Sequence, residues 1–184
     1  RIGIIGTGSR GCFHIKHLVQ MSNVEVVALC DNYRPHLEDA AQYYPQAKLY
    51  DDYRRLLEQR DVEGVIIATP LYLHASMTLD ALSAGKRVFC EKSMGYTLDE
   101  CLDVYNKRKE TNGVLFIGQQ RLFDPKYIKA MSMIHEGKIG EVVGVRNYWY
   151  RNNNWRRDVP LPELERHINW RLYSEYSRGL MTEL

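Results

Sequence analysis

The sequence predicts an α/β protein, in which a doubly wound parallel sheet is followed by the start of an α+β domain. Short apolar, β-rich runs alternate with longer amphipathic stretches along residues 1–121. A glycine-rich turn separates the first short run from the first amphipathic stretch. Because parallel neighbours need crossover connections and helices must cover both faces of their sheet, this alternation favours a parallel sheet.

The first half of the pattern begins with two strands that flank a helix. Ile2–Ile5 is too short for a helix and stops at a glycine cluster, and residues 9–22 carry apolar side chains at helical spacing. Val24–Cys30 is apolar at nearly every position, which is typical of a strand buried on both faces. The elements that follow are a helix at 35–44, a short strand at 48–50 and a helix with Tyr53, Leu56 and Leu57 as its apolar stripe.

The second half repeats the alternation three times. Strands are predicted at 64–68, 87–90 and 114–117, with a helix at 72–84 after the first of them. Thr97 and Glu100 have the spacing of a capping box, which indicates that another helix begins there. The sheet therefore has six predicted strands.

A second domain is predicted from residue 122 onward, after a first domain at 1–121. Asp124 and Pro125 favour the start of a helix that runs to about His135. Glu141–Tyr150 alternates in the manner of a long strand. The chain stops soon afterwards on an apolar run and starts on Arg1, so we expect the second domain to be truncated and residues upstream to be missing.

Composition excludes several classes of protein. A formal net charge of +2 is too balanced for a protein that coats nucleic acid. No apolar run approaches the ~18 residues of a membrane span, and no signal peptide is visible, which favours the cytoplasm. Four widely spaced cysteines favour reduced thiols over disulfides, and His14 and His17 have no third ligand nearby, so no metal site is expected.

The glycine-rich turn has the spacing and context of a dinucleotide-binding fingerprint, because it follows a strand and opens a helix. Gly6 allows the tight turn, Gly8 lets a pyrophosphate approach the backbone, and Gly11 lets the helix pack closely on the strand. The helix N-terminus adds N–H donors and a partial positive charge. The alternative is an ordinary glycine-rich turn. The predicted cofactor contacts here are Gly6, Thr7, Gly8, Ser9, Arg10 and Gly11.

Asp31 follows the second strand at the distance expected of the acidic residue that binds the adenosine ribose of NAD. Its charge would repel the 2′-phosphate of NADP, so NAD is favoured. Two alternatives stay open. Asp31 could instead cap a helix or form a turn, and Arg34 nearby could bind a 2′-phosphate.

Two further loops follow strands and should flank the cofactor, because ligands of doubly wound sheets bind beyond the carboxyl ends of the strands. They contribute the predicted cofactor contacts Ala68, Thr69, Pro70, His74, Glu91 and Lys92. Lys92 should emerge where nicotinamide and substrate meet, and a lysine partly removed from water beside a cationic ring exchanges protons readily. The alternatives are a hydrogen-bonded or capping role for His74 and a solvated surface position for Lys92.

Five motifs together resemble a family of NAD(P)-dependent sugar oxidoreductases that includes glucose–fructose oxidoreductase and inositol dehydrogenase (the Gfo/Idh/MocA type). They are GTGSRG at 6–11, ATPLYLH at 68–74, CEK at 90–92, GQQRLFDPKY at 118–127 and GKIGEV at 137–142. The resemblance implies a Rossmann domain, and it implies that Lys92 is the catalytic lysine that touches the substrate hydroxyl and the nicotinamide ribose. It also implies that Arg121 lies near the domain junction and binds substrate.

The chain departs from the family pattern at two places. Ser93 stands where relatives usually carry a proline, often in a cis bond. Gly179–Glu183 matches the start of the family's glycine-rich run, with Glu183 at the acidic position usually held by aspartate. The resemblance makes Glu183 a second catalytic candidate and places the family's histidine beyond Leu184. We therefore expect this chain to bind cofactor but to turn over poorly or not at all.

A stretch rich in arginine, asparagine and tryptophan at 151–157 suits a polyhydroxylated or anionic substrate, and it continues into 166–171. Trp155 and Arg156 are the predicted substrate contacts. The alternative is an exposed loop or a subunit interface.

The resulting hypothesis is an oxidoreductase that transfers a hydride between a nicotinamide cofactor, NAD or less favourably NADP, and a sugar, cyclic polyol or sugar derivative. One alternative is a glycosidase that retains NAD and returns the hydride. Another is a non-catalytic nucleotide-sensing or assembly protein. No nucleic acid or membrane partner is expected, and the family resemblance implies a homo-oligomer, a dimer or tetramer.

Overall fold

The computed structural model describes residues 1–150 and 154–179. The strands are β1 (Ile2–Ile5), β2 (Val26–Cys30), β3 (Lys48–Tyr50), β4 (Gly64–Ile67), β5 (Arg87–Glu91) and β6 (Leu115–Gly118). The α-helices are α1 (Ser9–Leu18), α2 (Arg34–Ala41), α3 (Tyr53–Leu57), α4 (His74–Ser83), α5 (Leu98–Thr111), α6 (Pro125–His135) and α7 (Glu165–Ile168). Short 3₁₀ turns lie at 71–73, 120–123, 162–164 and 170–172.

All six strands pair in parallel in the order β3-β2-β1-β4-β5-β6, which confirms the predicted doubly wound sheet. The chain builds outward from β1 in one direction and then from β4 in the other. The strand order therefore reverses between β1 and β4, and a ligand crevice is expected beyond the carboxyl ends of these strands.

The core consists of two apolar clusters. One contains Ile4, Leu29 and Leu37 together with Ile15 of α1. The larger cluster is built from residues of α3, α4 and four strands, including the buried Cys30 and Cys90. Both thiols are free, and burial raises the pKa of each to about 12, so they behave as inert core side chains.

The helices α5 and α6 begin at the capping residues that the sequence predicts. The Thr97 hydroxyl accepts a hydrogen bond from the Glu100 N–H at 3.2 Å, and the Glu100 carboxylate accepts one from the Thr97 N–H at 3.2 Å. Asp124 accepts from the Lys126 N–H at 2.9 Å, directly before Pro125 opens α6. Both predicted caps are confirmed. The helices predicted at 9–22 and 35–44 end earlier than expected.

The strand predicted at Glu141–Tyr150 is wrong, because the structure has no strand there. Val143 is 94% exposed and Val145 is 83% exposed. A strand needs a neighbour for its backbone hydrogen bonds, and no described segment pairs with these residues. Alternation alone indicated the strand but did not supply its partner.

Candidate functional site

A cleft of about 660 Å³ lies beyond the carboxyl ends of β1, β2, β4 and β5. Segments that are far apart in sequence meet here, including part of 154–171. Eleven of the predicted cofactor contacts line the cleft, namely Gly6, Gly8, Ser9, Arg10, Asp31, Ala68, Thr69, Pro70, His74, Glu91 and Lys92. Its volume is in the range of small-molecule and cofactor sites.

The glycine-rich turn has three glycines with distinct constraints. Gly6 has φ +87°, and a Cβ there would lie 2.8 Å from the Ala68 carbonyl. A Cβ on Gly11 would lie 2.0 Å from the Gly6 carbonyl oxygen, because α1 packs directly on the turn. At Gly8 a Cβ would meet only the His36 ring, at 3.4 Å. The fold therefore requires glycine at 6 and 11, whereas Gly8 leaves backbone open to the cleft.

Asp31 performs a turn-forming role and also lines the cleft. One carboxylate oxygen accepts from the Thr7 N–H at 2.7 Å, and the other accepts from the Tyr33 N–H at 2.9 Å. Thr7 is fully buried behind the cleft, so it acts by holding Asp31. The Arg34 guanidinium donates to Glu38 at 2.7 Å and is not among the residues that line the cleft.

Glu91 is a buried carboxylate at the end of β5. His14 Nε2 lies 2.8 Å from its Oε1, and Arg10 Nε lies 3.2 Å from the same oxygen. Burial alone would raise the pKa of Glu91, but the His14 hydrogen bond and the Arg10 charge outweigh it, so the pKa is lowered below its ordinary value of 4.5. This carboxylate is therefore ionised at neutral pH.

The acid dependence of stability should change when Glu91 is replaced by Gln. A lowered folded-state pKa stabilises the fold above pH 4.5 and loses this contribution as pH falls through the folded-state value. We expect Glu91→Gln to lower the free energy of unfolding at neutral pH by about 1–3 kcal/mol and the difference from wild type to shrink in acid. Urea unfolding at several pH values measures the difference in free energy of unfolding between wild type and Glu91→Gln. The same difference at every pH would contradict a stabilising role for the ionised carboxylate. Glu58→Gln, at an exposed position, is the control.

His74 and Lys92 lie on neighbouring loops of the cleft. His74 is 2% exposed, and its two ring nitrogens lie 2.7 Å from the Ser93 carbonyl oxygen and 2.9 Å from the Thr69 carbonyl oxygen. Of the roles predicted for His74, the structure shows the hydrogen-bonded one. The ring is buried, however, and does not lie on the surface. Lys92 lines the cleft, and the Lys92–Ser93 peptide bond is cis.

The segment 154–179 adds planar and aromatic side chains to the cleft. Trp155 lines it, as the sequence predicts, together with Arg157, His167, Trp170 and Arg171. The segment contacts the loop before α5, where the Tyr96 hydroxyl donates to the Ser174 carbonyl at 2.8 Å. Sequence reasoning identified this stretch but selected only its first tryptophan and a neighbouring arginine.

Four predicted site residues within the described ranges do not line the cleft, namely the cofactor contacts Thr7 and Gly11 and the substrate contacts Arg121 and Arg156. Arg156 pairs with Glu165, whereas Arg157 next to it lines the cleft. Arg121 lies 3.7 Å from Asp124 and over the Tyr127 ring, and it is not a lining residue. Glu183 lies outside the described residues. These positions give Arg121 and Arg156 no contact with the cleft.

Neither a metal centre nor a membrane segment is found in the part of the chain that the structure describes. Over residues 1–150 and 154–179, no group of three or more His, Cys, Asp or Glu side chains could hold a metal ion. None of the helices in these ranges is long and apolar enough to cross a membrane.

The parallel sheet, the glycine-rich turn at its switch point and Asp31 after β2 define a dinucleotide-binding domain of the Rossmann class. The chain belongs to the Gfo/Idh/MocA oxidoreductase family with an NAD-binding Rossmann fold, whose model matches residues 1–119.

Individual relatives cover most of this chain. It is 36% identical over 153 residues to inositol 2-dehydrogenase of Salmonella typhimurium, covering 82% of this chain and 46% of the relative. It is 36% identical over 154 residues to a glycosyl hydrolase family 109 protein of Stenotrophomonas maltophilia, covering 78% of this chain and 34% of the relative. The structure of scyllo-inositol dehydrogenase from Lactobacillus casei, solved with NAD(H) and scyllo-inositol, matches with a TM-score of 0.70 and 26% identity. The match covers 76% of this chain and 42% of that protein. The chain thus spans less than half the length of these relatives.

Proposed function

We propose that the protein transfers a hydride between NAD and a hydroxyl-bearing carbon of a sugar or cyclic polyol. The observation that carries this proposal is the position of Lys92, which lines one cleft together with the glycine-rich turn and the planar side chains of 154–171. A proton-exchanging group, a dinucleotide cradle and a polar, aromatic wall are what such a reaction requires.

The residues present fit a dinucleotide. Gly8 leaves its backbone open to the cleft, the N-terminus of α1 provides N–H donors, and the Asp31 carboxylate can accept hydrogen bonds from ribose hydroxyls. When bound, the nicotinamide ring accepts or donates the hydride. Lys92 Nζ would exchange the proton of the substrate hydroxyl. By the family resemblance, Lys92 would share proton transfer with a histidine of the full-length protein, and Glu183 would orient the two.

The substrate proposed is polyhydroxylated. Trp155 and Trp170 offer ring faces for sugar C–H groups, and Arg157 offers a planar fork of donors to hydroxyls or to an anionic group. The relative solved with scyllo-inositol supports a cyclic polyol. A homo-oligomeric state and a cytoplasmic location stay predictions.

The NAD-retaining glycosidase is a second candidate, favoured by the family 109 glycosyl hydrolase among the relatives. The two functions differ in their products. Incubating the full-length protein with NAD⁺ and a panel of inositols and sugars should give net NADH. Sugar release from a glycoside without net NADH would favour the glycosidase instead. Saturable NADH binding without any turnover would favour the nucleotide-sensing alternative.

Asp31→Asn should relax the preference for NADH over NADPH. The substitution removes the charge that repels a 2′-phosphate but keeps one oxygen that can accept from the Thr7 or Tyr33 N–H. We expect the ratio of the NADPH Kd to the NADH Kd to fall about tenfold, the equivalent of about 1.4 kcal/mol. Calorimetric titration of both cofactors measures the ratio. The control is Asp39→Asn, on the exposed side of α2. An unchanged ratio in Asp31→Asn would show that Asp31 does not set the preference for NADH over NADPH.

A further inference from the structure

The two residues that flank Lys92 are each held by a histidine from a different helix. On one side, His14 of α1 lies 2.8 Å from the Glu91 carboxylate. On the other side, His74, the first residue of α4, lies 2.7 Å from the Ser93 carbonyl oxygen. Lys92 is therefore the middle residue of a segment that is fixed at both ends by side chains far away in the sequence.

His74 also joins the two loops that form this side of the cleft. Its other ring nitrogen lies 2.9 Å from the Thr69 carbonyl oxygen, in the loop after β4. A neutral ring carries one N–H, so it donates a hydrogen bond to one of these two carbonyls while its other nitrogen lies against the second. Because the ring is 2% exposed, water does not compete for these contacts.

His14 is held nearly as firmly. Its ring packs edge-on against Phe89, with centroids 5.4 Å apart, and its side chain is 18% exposed. Arg10 approaches the same Glu91 oxygen at 3.2 Å from the first turn of α1. The helix that begins at the glycine-rich turn is thus tied to the last residue of β5, directly before Lys92.

We propose that His14 and His74 are positioning residues that together aim the Lys92 side chain into the cleft. On one side the contact is to the Glu91 side chain, and on the other it is to the Ser93 backbone carbonyl. Holding both neighbours of a residue restricts where its own side chain can reach, and proton transfer requires placement to within a fraction of an ångström. The importance of this aim rests on the proposed function of Lys92. We call the two histidines and their contacts with Glu91 and Ser93 the brace. The existence of the brace rests on these contacts alone.

The test observes Lys92 directly. Lysines are labelled with ¹³C at Cε, and the Lys92 signal is identified by its loss in Lys92→Arg. We expect His74→Ala and His14→Ala each to shift and broaden the Lys92 signal and to leave the other lysine signals in place. We also expect the NADH Kd to rise about tenfold in each variant, as the loss of a buried hydrogen bond to a loop of the site allows. His17→Ala is the matched control, because His17 lies on the same helix and its ring contacts the Phe13 carbonyl of that helix at 2.8 Å.

A second pair of variants keeps the test valid if either alanine variant fails to fold. His74→Gln and His14→Gln keep an amide donor, and we expect their Lys92 signals to lie between those of wild type and the alanine variants. A Lys92 signal that matches wild type in all four variants would overturn the brace. If wild type does not bind NADH, the proposed function fails, while the Lys92 signal still decides whether the brace exists.

Discussion

Gly11→Ala should unfold the first strand–helix unit and abolish NADH binding. The new Cβ would lie 2.0 Å from the Gly6 carbonyl oxygen, far inside contact distance. Gly6 cannot move away easily, since its own φ is +87° and even a Cβ there would lie 2.8 Å from the Ala68 carbonyl. We expect the free energy of unfolding to fall by more than about 3 kcal/mol, at the upper end of overpacking effects.

Urea unfolding followed by circular dichroism measures the loss at Gly11. Gly144→Ala is the control, because a Cβ at Gly144 meets nothing within 4 Å and the same chemical change should cost little there. An unfolding midpoint for Gly11→Ala equal to that of wild type would show that α1 does not pack on the turn as described.

Lys92→Ala should lower kcat of the full-length protein by about 10²–10⁴-fold, the usual contribution of a general acid or base. The expected change in NADH affinity is much smaller, because Lys92 is one of many predicted cofactor contacts and the others remain. Steady-state kinetics with a polyol and NAD⁺ measure the first quantity, and NADH titration measures the second.

Lys48→Ala is the control for loss of a lysine, since Lys48 is exposed on the outermost strand of the sheet. A wild-type kcat in Lys92→Ala would rule out the proton-transfer role. A loss of NADH affinity as large as the loss of kcat would instead make Lys92 a cofactor-binding residue.

Features that depend on local sequence could be predicted. The six strands follow from apolar runs of strand length, and the caps at Thr97 and Asp124 follow from short-range hydrogen bonds. The glycine-rich turn could be predicted as well, because Gly6 and Gly11 are required by contacts within the first strand–helix unit and with the loop after β4.

Features that depend on partners distant in sequence could not be predicted. The alternation at Glu141–Tyr150 indicates a strand, but a strand also needs a neighbour. Which of two adjacent arginines reaches the cleft is decided by Glu165, which pairs with Arg156 and leaves Arg157 to line the site.

The histidines illustrate the same limit. The sequence shows His14 only as one of two histidines, with His17, on the same predicted helix face. The structure shows that it contacts Glu91, 77 residues further along the chain. The sequence predicts a cofactor contact for His74, with a cap or a hydrogen-bonded surface position as the alternative. It does not reveal that the ring contacts two loops, which only the sheet order brings together.

The most direct test of the central claim is a fluorescence titration of NADH into wild type and Gly8→Ala. A Cβ at Gly8 meets only the His36 ring, at 3.4 Å, so the variant should keep its fold, but it would stand where a pyrophosphate approaches the backbone. We expect saturable NADH binding to wild type, and at least about tenfold weaker binding to a Gly8→Ala variant with an unchanged unfolding midpoint. Equal NADH binding to both proteins, or none to wild type, would contradict the assignment of this cleft as a dinucleotide site.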